Sequence, residues 1–526
     1  CLSFDLPQCT RDVLKHCGNA GLPEARADSD HGAPAALIRP HVHRMSQTLV
    51  FAVIAMREVE FFAAVAQALK SEDPGLDICF ISFFQPGNRL LQERGFRCFD
   101  LYDGLGECPV PDMHRIRHLE QRYGIDNLHR LLIHEKLTHG QFDDGRLLAK
   151  FDACLERLEG ILEQIRAAAP ERELVVMQEL GGFVAPLSLY FTARRLCATH
   201  VFFEPSFFKG RLHYVVNGLG ACQPASTSPD HDTREIVRRY LEQSRNQRTP
   251  VVPVKDQHHF RDMGLAKIFN RANAGRLWRK LGYRWRGQRQ EYEHPWHHAA
   301  RALRMLVSRR RAARLYSSFD DNLRTAAYVY FPFHVQLDYA LTIRSPEYLD
   351  QVALVRYLAD VLPGNLQLYV KEHPASVGGF GYRALRELLH THSNVRVMHP
   401  SVNSYGIIEN SKLVVTINSK VGAEALMLGK QVVVLGDAFY SGSPLVQRVT
   451  QLGDIDAIIR TLSEPGASPS VADVEYFFSQ IWDASWPGEL YVMQRENVRM
   501  FASGLRAFMD TTTGAPVATT RQLLQG

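Results

Sequence analysis

Residues 369–376, YVKEHPAS, put Lys371, Glu372 and His373 at the end of an apolar run and halt it with Pro374. Charges there do little for packing, but the C-terminal ends of strands are where an open α/β sheet holds its ligand. A histidine fixed before a proline that cannot extend the ladder can donate a hydrogen bond to a phosphate. Such a charge-assisted bond contributes roughly 1.5–3 kcal/mol. Taken alone, the four residues read equally well as a charged turn.

Two further stretches have the same character. In TINSKVGAEALMLGK (416–430), an apolar run ends at Asn418 and Ser419, and a helix begins near Gly422. Small residues there let a ligand reach the free amides of a first helical turn, and the helix dipole adds about 0.3–1 kcal/mol for an anion. Ser419 can cap the helix, bind the ligand, or both. Glu424 either reaches ligand hydroxyls or bridges to a neighbour. In HPSVNSYGIIENS (399–411), Asn403 and Ser404 open another helix, and capping accounts for them as well as binding does.

Carboxylates complete the set. FPFHVQLD (331–338) brings Asp338 just beyond a strand, and VVMQELGG (175–182) brings Gln178 and Glu179 to a strand end before a glycine pair. Two acids on opposing domains could divide the duties of nucleophile and acid/base, as in retaining glycosyl chemistry. Either could instead be a helix cap.

The elements that must position these residues follow a strand–helix–strand rhythm. LVFAVIA, LDICFISF, GFRCFDL, ELVVM and THVFFEP alternate with helical stretches in the first half. AAYVYFPF, LQLYV, VRVM, LVVTI and QVVVL do so in the second. This predicts an α/β protein with two doubly wound, Rossmann-like domains facing a cleft. The expected divisions are an irregular leader (1–46), an N-terminal Rossmann-like domain (47–222), a basic helical insertion or interdomain arm (223–325), a C-terminal Rossmann-like domain (326–510) and a disordered tail (511–526).

Composition narrows the class. A chain of 526 residues is too long for one core, and no apolar run approaches the roughly 20 residues that span a bilayer. The nine cysteines all precede residue 223 with no CxxC pair, which argues for reduced thiols in a cytoplasmic protein and against a cysteine metal site. Net charge is +5, yet residues 261–315 hold fifteen Lys or Arg against three Asp or Glu. That segment is +12 (15 − 3), so the rest of the chain is −7. Within it Trp278, Arg279, Trp285 and Arg286 interleave aromatic and basic groups. Three partners suit such a run: an anionic membrane surface, a nucleic acid, or only a packing neighbour.

The run from Tyr328 to Val446 resembles the bacterial capsule polysaccharide biosynthesis family. FPFHVQLD, LYVKEHP and VVTINSKVGAEALMLGKQVVVLGDAFY match its motifs, and WPGELY (486–491) fits its ending. The chain departs from relatives at Leu337-Asp338, where Pro-Glu is common, and at Ser441–Ser443, where confirmed Kdo enzymes carry Gly-Trp-Gly. The resemblance implies a GT-B-like glycosyltransferase that moves an acidic, Kdo-like sugar from a CMP-sugar to a glycan or lipid-linked acceptor with retention. It implies no cofactor and no metal. His373 and Pro374 would bind the donor phosphate, with Lys371 beside them, and Ser419 would lie at the donor helix. Asp338 would be the nucleophile, and Gln178 and Glu179 would lie near the acceptor. The expected location is cytoplasmic, peripheral at the inner face of the cell membrane. The alternatives are a noncatalytic glycan-binding component of polysaccharide export and a nucleotide-sugar epimerase.

Overall fold

The computed structural model describes residues 46–106, 108–248, 271–291, 294–464 and 468–512. The expected leader, apart from Ser46, and the expected tail beyond Thr512 lie outside the described residues.

Six strands form most of the first sheet: β1 (Gln47–Val53), β2 (Asp77–Ser82), β3 (Arg97–Asp100), β4 (Glu173–Glu179), β5 (Thr199–Pro205) and β6 (Arg211–Val216). The first five are parallel, and β6 turns back antiparallel to β5. Six more form a wholly parallel second sheet: β7 (Tyr328–Pro332), β8 (Gln367–Lys371), β9 (Val395–Met398), β10 (Leu413–Thr416), β11 (Gln431–Val434) and β12 (Gln447–Arg448). The inner strands read as unbroken apolar runs because helices cover both faces, leaving no side for polar alternation. Leu413 to Ile417 are all buried accordingly.

Strand order is β13-β6-β5-β4-β1-β2-β3 in the first sheet, where β13 is Trp486–Pro487, and β12-β11-β10-β7-β8-β9 in the second. In each the order reverses between the first strand and its later partner, β1 beside β4 and β7 beside β10. An open α/β sheet has its crevice at that reversal, on the C-terminal edge.

Two boundaries differ from expectation. The second lobe ends with helix Val471–Asp483, after which the chain returns to the first lobe. There Trp486 and Pro487 pair with β6, and helix Arg495–Thr512 packs Phe501 edge-on against Phe61. The segment 223–325 also divides. Helix His231–Gln247 buries Val237 and Leu241 in the second lobe's core, beside Phe207, Phe208 and Phe478. The arm proper is two helices, Arg271–Trp285 and Pro295–Ala312. Between them Gln290 bridges to Phe84 of the first lobe, and beyond them Ser317 bridges to Met398 of the second. No helix among the described residues is long and apolar enough to cross a membrane.

Candidate functional site

The strand register builds the site. Pro332 pairs with Lys371, and Val414 with Tyr330. Two residues beyond these strand ends lies a row of His373, His334 and Asn418 on the edge where the order reverses. Asn418 N donates to His334 Nε2 at 3.1 Å, while His334 N donates to Gln351 Oε1 at 2.7 Å. With Nε2 accepting, neutral His334 carries its proton on Nδ1, a buried atom without a hydrogen-bond partner among the described residues. Burial, reinforced by His373, holds its pKa at about 3.

His373 is poised the other way round. Ala375 N donates to its Nδ1 at 3.1 Å, so the neutral ring carries its proton on Nε2. Burial, aided by the Lys371 charge, lowers its pKa to about 4. At neutral pH this residue is therefore an uncharged imidazole with one donor. Pro374 begins the 3-10 turn Pro374–Ser376 that fixes the ring's backbone. Glu372 accepts from Tyr316 Oη and from Gly378 N at 3.0 Å, so it anchors the loop that follows.

Lys371 is buried, and its Nζ donates to Ser404 Oγ at 2.9 Å. Burial depresses its pKa to about 8 against the pull of Glu424. Glu424 is itself buried. Asn403 caps the Ser404–Asn410 helix through Tyr405 N at 2.9 Å and donates to Arg248 O at 3.0 Å. Capping accounts for it fully.

Ser419 caps helix Lys420–Met427, its half-buried Oγ accepting from Val421 N at 3.2 Å. The expected reason for Gly422 is corrected here. A Cβ at that position would lie 2.3 Å from Tyr440 Oη, so its smallness admits the Tyr440 ring rather than a ligand. Asn418 straps the edge together, with Nδ2 donating to Ala340 O at 2.6 Å and Ser345 Oγ at 3.1 Å.

Asp338 is exposed and caps the short helix Tyr339–Thr342 through Ala340 N at 2.9 Å. That helix docks on the first lobe: Tyr339 Oη donates to Leu219 O at 3.1 Å, and Thr342 Oγ1 meets His134 Nδ1 at 2.8 Å. Close by, Arg344 grips Glu204 with two bonds of 2.8 Å. Asp437 accepts from Ala221 N at 2.8 Å, and Lys420 reaches Ser206 O at 3.0 Å. Glu204 and Ser206 lie at the end of β5, and Lys420 and Asp437 follow β10 and β11. The two sheets thus meet through their C-terminal edges.

On the first lobe, Glu179 ends β4 beside the β1 end. Tyr491 Oη donates to it, and an Arg57 nitrogen lies 3.7 Å away. Gln178 points elsewhere. Its Nε2 lies 3.0 Å from both Pro186 O and His200 Nε2, so its side chain serves packing within the lobe, contrary to the expected place at the acceptor. The alternation of a strand explains this, since neighbours face opposite sides.

Sequence reasoning passed over His334, Arg57, Tyr491, Arg344 and Glu204. His334, Tyr491 and Glu204 stood inside quoted stretches, and Arg57 and Arg344 carried no local signal. Among the described residues no group of three or more His, Cys, Asp or Glu is placed to hold a metal.

Two doubly wound α/β lobes joined at their C-terminal edges, with titratable groups at both strand-order reversals, define a GT-B-like protein. Residues 232–453 match the family model described as "Capsule polysaccharide biosynthesis protein". Protein FixF of Sinorhizobium fredii is 34% identical over 137 residues, covering 25% of this chain and 32% of its own. The chain thus spans about a third of that curated relative. Among solved structures, a β-Kdo 2,4 transferase, KpsC of Thermosulfurimonas dismutans, is similar with 14% identity and a TM-score of 0.34, covering 62% of this chain and 88% of that one. A Listeria monocytogenes protein described as a putative UDP-N-acetylglucosamine 2-epimerase has 10% identity and a TM-score of 0.28, covering 89% and 97%.

Proposed function

We propose that this protein is a glycosyltransferase of capsule or surface polysaccharide synthesis, transferring an acidic, Kdo-like sugar from a CMP-sugar to a glycan or lipid-linked acceptor. The observation that carries this reading is the single row of His373, His334 and Asn418, flanked by buried Lys371 and the Ser419 helix start. A phosphate there meets a neutral imidazole donor, an ammonium group and the positive end of the Lys420–Met427 helix dipole, a combination suited to an anion.

CMP is a good leaving group, so the bond from the anomeric carbon to the phosphate oxygen breaks with both electrons leaving on the phosphate. Asp338, exposed beside the inter-lobe contacts, takes up the anomeric carbon through a carboxylate oxygen. An acceptor hydroxyl then loses its proton to Glu179 and displaces that carboxylate, so two inversions give retention. The scheme needs no metal and no cofactor.

The test is incubation with CMP-Kdo, with and without acceptor glycan. The expected results are release of CMP, an Asp338 adduct by intact mass in Glu179→Gln protein, and a retained anomer by NMR. Binding of glycan without nucleotide binding or turnover would instead favour an export component, and a free isomerised sugar nucleotide would favour an epimerase.

A further inference from the structure

The arm presents its apolar residues to solvent. Trp278 and Trp285 are seven residues apart on one helix, two turns along the same face, and are 66% and 82% exposed. The second helix repeats the pattern: Trp296 (63% exposed), Leu303 and Val307 form a stripe at seven- and four-residue steps, with exposed Ala299 and Ala300 between them. In a helix covering a core this face would point inward. Exposed arginines rim it: Arg279, Arg284 and Arg286 on the first helix, and Arg304, Arg310, Arg311 and Arg314 at the second. Across 271–291 and 294–314 there are thirteen Lys or Arg and one acid, Glu291, which is buried against Lys150 and Tyr102.

We infer that this two-helix arm docks flat on an anionic phospholipid bilayer, with Trp278, Trp285, Trp296, Leu303 and Val307 entering the interface and the arginines meeting headgroup phosphates. A large apolar face rimmed by cations, on helices too polar to span, is the pattern of interfacial segments. Charge argues against a second copy of the arm as occupant, since two such faces would repel. The aliphatic stripe argues against nucleic acid, because Leu303 and Val307 offer a base or phosphate nothing to stack on or bond with.

The arm also touches the donor loop: a Cβ on Gly378, five residues past His373, would lie 2.4 Å from Met305 O. Docking would therefore hold that loop at the lipid surface. This consequence alone rests on the proposed transferase reading, where it favours a lipid-linked acceptor.

The experiment uses the full chain with vesicles of phosphatidylglycerol and phosphatidylcholine in equal parts, against phosphatidylcholine alone. Three of the five tryptophans lie on the arm, so their emission reports the contact directly. The proposal expects co-sedimentation with anionic vesicles that weakens with salt, together with quenching by acyl-chain-brominated lipid. A Trp278→Ser/Trp296→Ser/Leu303→Glu variant should bind at least roughly tenfold more weakly while its melting temperature is unchanged. Absence of vesicle binding, binding without quenching, preference for a single-stranded oligonucleotide, or self-association that buries the tryptophans would each overturn it. CMP binding, measured separately by thermal shift, tests the donor reading independently.

Discussion

The hydroxyl of Tyr491 donates to the carboxylate of Glu179 across 312 residues of sequence, while the Arg57 guanidinium lies 4.4 Å from the centre of the Tyr491 ring. Tyr491 adopts a left-handed backbone with φ of 66°, a conformation costing a non-glycine residue about 1–3 kcal/mol. The chain's return to the first lobe thus completes the surroundings of that acid.

If Glu179 takes the acceptor's proton, Glu179→Gln lowers kcat by about 10²–10⁴-fold and leaves the Kd for CMP near wild type. Tyr491→Phe keeps the carboxylate and Arg57, so its loss is smaller and falls on kcat. Steady-state kinetics beside CMP titration separates the two, and full turnover by the glutamine variant would remove Glu179 from the mechanism.

His373→Asn preserves an acceptor near Nδ1 for the Ala375 amide but lacks the Nε2 donor. Removing a charge-assisted bond of roughly 1.5–3 kcal/mol weakens CMP binding by about 10–150-fold with the loop intact. Calorimetric titration reads this directly. Equal affinities in the two proteins would place the phosphate elsewhere.

Protonation gives a pH signature. His134, His200 and His334 are held near pKa 3, and His213, His298 and His373 near 4, chiefly by burial. The unfolded chain binds these protons near pH 6.5, so below that value it holds more protons than the native state and stability falls toward pH 4. Each group contributes about 1.4 kcal/mol per pH unit within its window. A melting temperature that stays level between pH 7 and 5 would contradict the buried neutral imidazoles. Lys371 titrates near 8, so affinity for CMP should decline as pH rises above that value.

Gly422→Ala tests packing at the Lys420–Met427 helix. Its Cβ would meet Tyr440 Oη at 2.3 Å, an overpacking expected to cost about 1–3 kcal/mol in urea denaturation. Pairing it with Tyr440→Ala, which removes the obstructing ring, should cancel that clash in a double-mutant cycle. Additive losses would show that the ring is not what excludes a side chain there.

The sequence alone carried the parallel strands of both sheets, because strands covered on both faces must read as continuous apolar runs. It also placed His373, Ser419 and Glu179 at strand ends, since each closely follows an apolar run. Caps were legible at Asn403 and Ser419 for a similar reason, as the side chain acts on amides only two residues away. Which groups meet was not legible. The row His373–His334–Asn418 depends on β7 lying between β8 and β10, and the grip of Arg344 on Glu204 depends on how two lobes dock. Gln178 and Glu179 look equivalent until strand alternation turns one inward. The return of Trp486–Thr512 to the first lobe, and the outward stripe of the arm, likewise follow from long-range packing. Local propensity sets which elements form; only apolar burial between distant segments decides which faces are covered and which stay open.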